Sequence, residues 1–200
     1  MARILVANKF YYPRGGDCIY TIDLVGLLQS HGHDVAVFAM QHPETLQTPW
    51  NKYFPEEVKF GMGVSSFKAV MRPFGTADVI QKFNALLDDF KPDIVHLNNI
   101  HSQLSPVIAE LAHSRGIKVF WTLHDYKLLC PRYDCLQNGT ICEQCLDNLH
   151  NVVKYKCLKH SYIASSIAYL EARKWNRDRL EKCTDQFIAP SQFMLGKMKS

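Results

Sequence analysis

The sequence predicts an α/β fold, a Rossmann-like doubly wound parallel sheet. Three observations predict it. Short continuous apolar runs, suited to strands buried on both faces, recur along the chain. Segments with apolar residues at helical spacing separate these runs. Glycine or proline marks most of the junctions. Strands alternating with helices imply right-handed βαβ units and a sheet covered on both faces.

The elements follow in order. Ile4-Leu5-Val6-Ala7 is the first strand, and a loop runs from Asn8 to Gly16. Ile19, Ile22, Val25 and Leu28 mark the first helix. His31-Gly32-His33 stops it, with Gly32 free to take a positive φ. Val35 to Met40 is the second strand. Residues 41–75 hold Pro43, Pro49, Pro55, Pro73, Gly61, Gly63 and Gly75, and read as a long loop with one short helix near Ser65 to Met71. Val79, Ile80, Phe83, Leu86, Leu87 and Phe90 form a clean helical stripe. Lys91-Pro92-Asp93 ends it, and Ile94-Val95-His96-Leu97 is a strand. Ser105-Pro106 opens the next helix, with proline at its tolerated first position. Val107, Ile108, Leu111 and Ala112 are its stripe, and Gly116 closes it. Lys118 to Leu123 is the fourth strand. A Cys-rich loop follows at about residues 126–150, then a helix from about Ser161 to Arg179. Phe187-Ile188-Ala189 is a fifth strand, and Ser191 caps a last helix. Residues 1–200 thus read as one domain. The chain stops a few residues into its last helix, which reads as an incomplete chain.

Composition narrows the function. A chain of 200 residues with 47% hydrophobic residues suits one sizeable core. A net charge of +4 is too mild to argue for nucleic acid as a partner. The N-terminal apolar stretch is too short for a signal peptide, and no run has the length of a membrane span. The expected compartment is the cytoplasm, with membrane association as a further expectation. Lys154, Lys156, Lys159, His160, Arg173, Lys174, Arg177 and Arg179 interleave with Tyr155, Tyr162, Ile163, Ile167 and Leu170. That pattern fits a solvated face on a core-packed helix better than it fits peripheral membrane contact, which stays as the second reading.

Ligands of doubly wound sheets bind beyond the carboxyl ends of the strands. Three polar segments lie there. Arg14-Gly15-Gly16 joins the first strand to the first helix. Two glycines let a backbone approach a ligand closely, the helix N-terminus suits phosphate, and Arg14 adds a bidentate donor. The alternative is a turn that merely needs positive φ. The loop has neither the dinucleotide Gly-x-Gly-x-x-Gly fingerprint nor a P-loop Gly-Lys-Ser/Thr. Asn98, Asn99 and His101 end the third strand and suit polyol recognition or loop capping. His124, Asp125 and Tyr126 end the fourth, where His124 can donate to a sugar hydroxyl or a phosphate.

These residues resemble the N-terminal domain of a family 4 glycosyltransferase, one half of a two-domain GT-B fold. The resemblance rests on Ile4-Leu5-Val6, Phe10-Tyr11-Tyr12-Pro13, Gly15-Gly16, Leu27-Leu28 and His31-Gly32-His33-Asp34-Val35. It continues through Lys91-Pro92-Asp93-Ile94-Val95-His96, Thr122-Leu123-His124-Asp125-Tyr126 and Ile188-Ala189-Pro190-Ser191. The resemblance implies an enzyme that moves a sugar from a nucleotide-sugar donor to a glycan or lipid-linked acceptor, in polysaccharide or glycolipid assembly. It implies that Gly16 approaches the donor diphosphate and that His124 sits beside the transferred sugar. It further implies anomeric retention and no cofactor for catalysis. The C-terminal donor-binding domain, with its paired glutamates, is expected to be absent, and the fragment alone to be inactive.

Seven cysteines in a chain without a secretion signal argue against a disulfide framework. Cys130, Cys135, Cys142 and Cys145 fall within sixteen residues, with Cys142-Glu143-Gln144-Cys145 as a zinc half-site. Asn138-Gly139 is a turn able to fold the pairs together, and Cys157 or His150 can replace one ligand. Structural zinc, free thiols and an oxidative disulfide all remain open from spacing. Four thiolates would fill the coordination shell, so any zinc would order the loop without activating water. The alternative function is a non-catalytic, zinc-ordered α/β binding module. A nicotinamide-dependent dehydrogenase ranks third, for want of the glycine fingerprint.

Overall fold

A computed structural model of the chain describes residues 1–58 and 69–199. The short helix expected near Ser65 to Met71 falls mainly on residues outside those described. The chain divides into two compact units: Met1–Thr122 with Leu180–Ile188, and Leu123–Arg179 with Ala189–Ser200.

The apolar runs of the first unit pair as parallel strands. They are β1 (Arg3–Ala7), β2 (Asp34–Phe38), β3 (Ile94–Leu97) and β4 (Lys118–Thr122). A fifth, β7 (Gln186–Ile188), completes a sheet of order β2-β1-β3-β4-β7, parallel throughout. Leu5, Val6, Ala7, Phe38, Val95, Leu97 and Val119 are fully enclosed, as continuous apolar strands of a two-faced sheet require. The chain starts at β1, steps outward to β2, then returns past β1 to β3. The order of winding therefore reverses beside β1, and ligand crevices form at such a switch point.

The helices of this unit are α1 (Gly16–Ser30), α2 (Ala77–Phe90) and α3 (Val107–Ser114). Helix α2 buries Val79, Phe83, Leu86, Leu87 and Phe90, as its stripe predicts. Lys91 stops it in the left-handed conformation at φ 49°, and its N–H donates to the Leu87 carbonyl at 2.9 Å. Gly32 takes φ 78° after α1, as expected. The stripe of α1 differs from the reading. Ile19 is half exposed, whereas Cys18 and Thr21 are buried with Val25. Cys18 packs with Phe10, Tyr12 and Met40. The Thr21 hydroxyl donates to the Asp17 carbonyl at 2.7 Å, so threonine sits at a core position without a stranded polar group.

Between β2 and α2 the expected long loop contains two 3-10 turns, Asn51–Tyr53 and Arg72–Phe74, and a bridge between Gln41 and Glu56. Arg72 is buried there. It bonds Thr76 Oγ1 at 3.1 Å, Asp78 at 3.0 Å and the Glu56 carbonyl, which pins the loop to the start of α2.

In the second unit the Cys-rich segment is ordered. It contains the hairpin β5 (Leu136–Gln137) and β6 (Thr140–Ile141), then α4 (Gln144–Asp147) and α5 (Asn151–Lys154). The helix expected over 161–179 is two helices, α6 (Tyr162–Lys174) and α7 (Arg177–Glu181). Asn176 lies at the break, and its side-chain oxygen accepts from the Arg179 N–H at 2.9 Å. An asparagine there satisfies a first-turn donor of α7. Ser161 caps α6 through Ala164, and Ser191 caps α8 (Gln192–Lys199) through Met194 at 3.1 Å.

Edge strand β7 is held by Asp185. Its carboxylate accepts from Lys118 Nζ at 2.7 Å and the Val119 N–H at 2.9 Å, while its own N–H donates to the Val119 carbonyl at 2.8 Å. The Lys118 bond first, and the Val119 bond second, hold its carboxyl below the usual carboxylate range. A depressed folded pKa stabilises above the unfolded value, and that stabilisation is lost as pH falls through the folded pKa. Asp185→Asn should therefore lower the melting temperature at pH 7, with the gap from wild type closing below about pH 4. Melts at pH 7 and pH 3 check this, and an equal gap at both would refute the ionic role.

Candidate functional site

The loop after β1 is wedged by aromatic rings. Phe10 and Tyr12 meet edge to face at 5.6 Å, and Tyr12 stacks on His42 at 4.4 Å. Arg14 lies over the Phe10 ring at 4.1 Å, so its guanidinium is held at the loop while the residue stays exposed. Gly15 is extended, at φ −163°, and its carbonyl accepts from the N–H groups of Cys18 and Ile19 at 3.0 Å. Neither Gly15 nor Gly16 takes a positive φ. A Cβ on Gly16 would meet nothing within 4 Å. The turn itself thus has no need of glycine at position 16, and the space at its missing Cβ is open. No side chain caps α1. Asp17 puts an acidic group into the first turn, where its carboxylate accepts from the Cys18 thiol.

Asn8 ties this loop to the one after β3. It is fully buried, its Nδ2 donates to the Phe10 carbonyl at 2.8 Å, and its Oδ1 accepts from the Asn99 N–H at 3.0 Å. The Lys9 N–H donates to the Asn99 carbonyl at 2.9 Å. Sequence reasoning passed over Asn8, although a polar residue directly after an apolar strand was a usable signal. The two predicted segments, Gly15-Gly16 and Asn98–His101, therefore stand on neighbouring loops at the switch point.

Of the three residues after β3, Asn98 and His101 turn inward. Asn98 is 1% exposed and its carbonyl accepts from Trp121 Nε1 at 3.0 Å. His101 is 8% exposed and packs on Trp121 at 5.4 Å. Asn99 keeps partial exposure, and its side-chain oxygen is buried without a hydrogen-bond partner among the described residues. His96, read in the sequence only as a strand residue and part of the family resemblance, bonds Thr122 Oγ1 at 2.8 Å.

The first unit also holds an open cleft of about 640 Å³. Its lining includes Gln41, His42, Gln47, Asn51, Glu56 and Glu57. Amides, imidazole and carboxylates lining an open groove suit sugar hydroxyls. Its residues lie in the stretch where proline and glycine punctuation hid any pattern.

His124, Asp125 and Tyr126 fall in the second unit, all half-buried. The Asp125 carboxylate accepts from the Lys127 N–H at 2.9 Å, and the Tyr126 carbonyl accepts from the N–H groups of Leu129 and Cys130. Lys127 forms a buried ion pair with Glu171 at 3.0 Å and donates to the Pro131 carbonyl at 2.7 Å. This pair, also missed in the sequence, anchors the segment after His124 to helix α6.

All seven cysteines are free thiols. Cys130 has the Cys145 thiol and the backbone N–H groups of Arg132, Cys135 and Tyr133 as the polar neighbours that act on its titration. The Cys145 bond first, outweighing burial, brings Cys130 down to about 6. Burial first, and then its Cys130 neighbour, push Cys135 up to about 12. Cys145 is pushed up by the Cys130 bond, then burial, then nearby Cys157 and Cys142. Among the described residues no group of three or more His, Cys, Asp or Glu is arranged so that it could hold a metal ion, the predicted set Cys130, Cys135, Cys142 and Cys145 included. Beside them Tyr126, Leu129, Leu136, Ile141, Leu146 and Phe193 line an apolar cavity of about 340 Å³.

Comparison with known proteins identifies what the chain is similar to. The family described as Glycosyltransferase Family 4 matches residues 14–200. An uncharacterized 42.6 kDa protein in the cps region of Klebsiella pneumoniae is 27% identical over 151 residues, covering 68% of this chain and 40% of that protein. The catalytic domain of starch synthase IV from Arabidopsis thaliana, solved with ADP and acarbose, aligns at 12% identity with a TM-score of 0.41. That alignment covers 94% of this chain and 50% of the plant chain. The chain thus spans half or less of the length of both relatives. No helix among the described residues is long and apolar enough to cross a membrane.

The Lys127–Glu171 pair makes a direct prediction. Glu171→Ala leaves a buried ammonium unpaired, which costs roughly 3–5 kcal/mol. Lys127→Met with Glu171→Leu should recover most of that loss, because the desolvation of both charges disappears. Denaturant unfolding of the single and double variants measures it; a double variant no more stable than Glu171→Ala would refute the pairing.

Proposed function

The chain belongs to Glycosyltransferase Family 4, and on that premise we propose that it forms the acceptor-side half of an enzyme transferring a sugar from a nucleotide-sugar donor to a glycan or lipid-linked acceptor. The observation that carries the reading is Gly16. A glycine with ordinary backbone geometry and open space at its missing Cβ, at the N-terminus of a 15-residue helix, is explained by what approaches it. Glycosyl transfer builds negative charge on the departing diphosphate and positive charge on the sugar. Backbone N–H groups at a helix start stabilise the former, and Arg14 offsets the acidic Asp17 beside them.

In this reading His124 donates a hydrogen bond to the transferred sugar near the reacting carbon, and Asp125 and Tyr126 face the acceptor. Asn99 contacts the acceptor directly. Asn98 and His101, buried, hold its loop in position. The cleft lined by His42, Gln47, Asn51 and Glu56 offers further polar groups suited to sugar hydroxyls. The paired glutamates that hold the rest of the donor come from a second domain, whose closure excludes water. Zinc takes no part in the chemistry, and a non-catalytic binding module is the outcome if transfer fails.

Gly16→Val, in the complete enzyme, should leave the melting temperature near wild type, because nothing in the fold meets the new side chain. It should raise the KM for donor or abolish turnover. His124→Ala should lower kcat on the order of 10²-fold, as loss of a transition-state donor does. Turnover assays on lipid-linked and soluble glycan acceptors measure both, and wild-type rates in either variant would refute the assignment. The 200-residue chain alone should show no turnover.

A lipid-linked acceptor would bring the second unit to a membrane. Tyr162, Ile163 and Leu170 are exposed on α6, with Lys156 over Tyr162 at 4.4 Å and Lys154 over Tyr155 at 5.2 Å. Apolar groups flanked by lysines fit an anionic interface. Co-sedimentation with anionic vesicles at low salt, and not with neutral ones, is the expected result; no binding at low salt removes membrane contact.

A further inference from the structure

Short segments of the second unit build its apolar cavity. Asn138 and Gly139 take φ 50° and 80°, the left-handed pair of a two-residue hairpin turn. That turn fixes a register in which Leu136 pairs with Ile141. Directly paired residues share one face of a hairpin, so these two side chains stand together. Phe193 and Lys197 lie one turn apart on α8 and share a face of that helix. Lys197 binds Glu143, which ties α8 to the segment leading from the hairpin into α4 and Leu146. Tyr126 and Leu129 complete the lining from a closed loop, where the Leu129 N–H donates to the Tyr126 carbonyl and the Tyr126 N–H to the Tyr133 carbonyl, both at 2.9 Å.

The charged groups at the cavity are already balanced. Asp134 accepts from Arg132 Nε at 2.9 Å and from the Leu136 N–H at 3.1 Å, and Glu143 and Lys197 bind each other. Cys135, also in the lining, behaves as a small hydrophobe. What the cavity offers a ligand is therefore apolar surface without unbalanced charge. Folding leaves much of that surface in water: Ile141 is 81% exposed and Phe193 67%, and Leu136 and Leu146 are exposed beside them. Four large apolar side chains gathered around a concavity mark a binding site. Its size sets the class of ligand. An apolar cavity of roughly 150 Å³ takes up benzene. This one, at about 340 Å³, is more than twice as large. It is still smaller than one turn of a partner's helix, roughly 10 Å across and 5.4 Å in pitch.

We infer that this cavity binds the aliphatic segment of an amphiphile. Burial of the chain supplies the affinity, and the ligand's polar head stays in water. The inference rests on the transferase reading only for the identity of the amphiphile. Tyr126 lines the cavity two residues after His124, so on that reading the aliphatic segment is the lipid part of the acceptor.

Calorimetric titration of the 200-residue chain with the series from butyl to decyl glucoside, below micelle-forming concentrations, tests the site without turnover. Each added methylene should tighten binding about fourfold until the cavity is full, and affinity should then level off. Leu146→Trp fills part of the cavity and should weaken decyl glucoside on the order of tenfold, the loss of one to two buried methylenes. Should that variant fail to fold, Phe193→Ala removes a wall at an exposed position and should shorten the rise in affinity. Leu27→Asp, at an exposed apolar side chain on α1 of the first unit, should leave the series unchanged. In the complete enzyme, Leu146→Trp should raise the KM for a lipid-linked acceptor and not for the same glycan without lipid. A rising series in an enzyme without turnover would refute the transferase reading and uphold the site. Affinity independent of chain length, an equal loss in Leu27→Asp, or self-association that Phe193→Asp abolishes would overturn the inference.

Discussion

The fold depends on the position of β1 between β2 and β3. The chain leaves β1 for β2 on one side and comes back past it to β3 on the other, so the direction of winding reverses there. That reversal leaves a crevice at the carboxyl end of β1, where the next loops cannot cover one another. Asn8 stands at the base of this crevice. By spending its amide on the Phe10 carbonyl and its oxygen on the Asn99 N–H, it sets the two loops at a fixed spacing. The aromatic wedge of Phe10, Tyr12 and His42 then keeps the first loop from collapsing onto the sheet.

The second unit solves a different problem. Its segments are short, and helices of four residues have little stability of their own. Order there comes from cross-links between segments: the Lys127–Glu171 pair, the Arg132 bond to Cys157 and the crowded thiols. Local propensity is weak in such a region, so side-chain chemistry carries the architecture. This is also the region that follows directly from β4 and holds His124.

Legibility in the sequence tracked the strength of local signals. Helix α2 was readable because five apolar residues at 3.6 spacing all reach the core and Lys91 stops it in a left-handed turn. The first strands were readable because burial on both faces leaves no polar alternation to confuse them. The break at Asn176 was missed because the apolar and basic residues on either side run on at helical spacing; only a capping asparagine marks it. Ile19 was misassigned because the rotation of α1 is set by Cys18 packing on Phe10, Tyr12 and Met40, contacts made across the sequence. The Gln41–Glu57 cleft had no sequence signature, since its groups come from turns without periodicity.

The sequence by itself determined the alternating elements, the parallel α/β class, the segments at the strand ends and the presence of a thiol-rich stretch. Each of these is a property of residues near one another in the chain, where hydrophobic period and turn chemistry act directly. Only the tertiary structure decided which residues of those segments face outward. Asn98 and His101 turned inward because Trp121 on a neighbouring strand offered them a partner and a packing surface. Gly16 stands at the helix start with open space at its missing Cβ, which no local pattern in the sequence announces. Long-range packing selects among the orientations that local sequence leaves equal in energy, and a binding surface is made of those orientations.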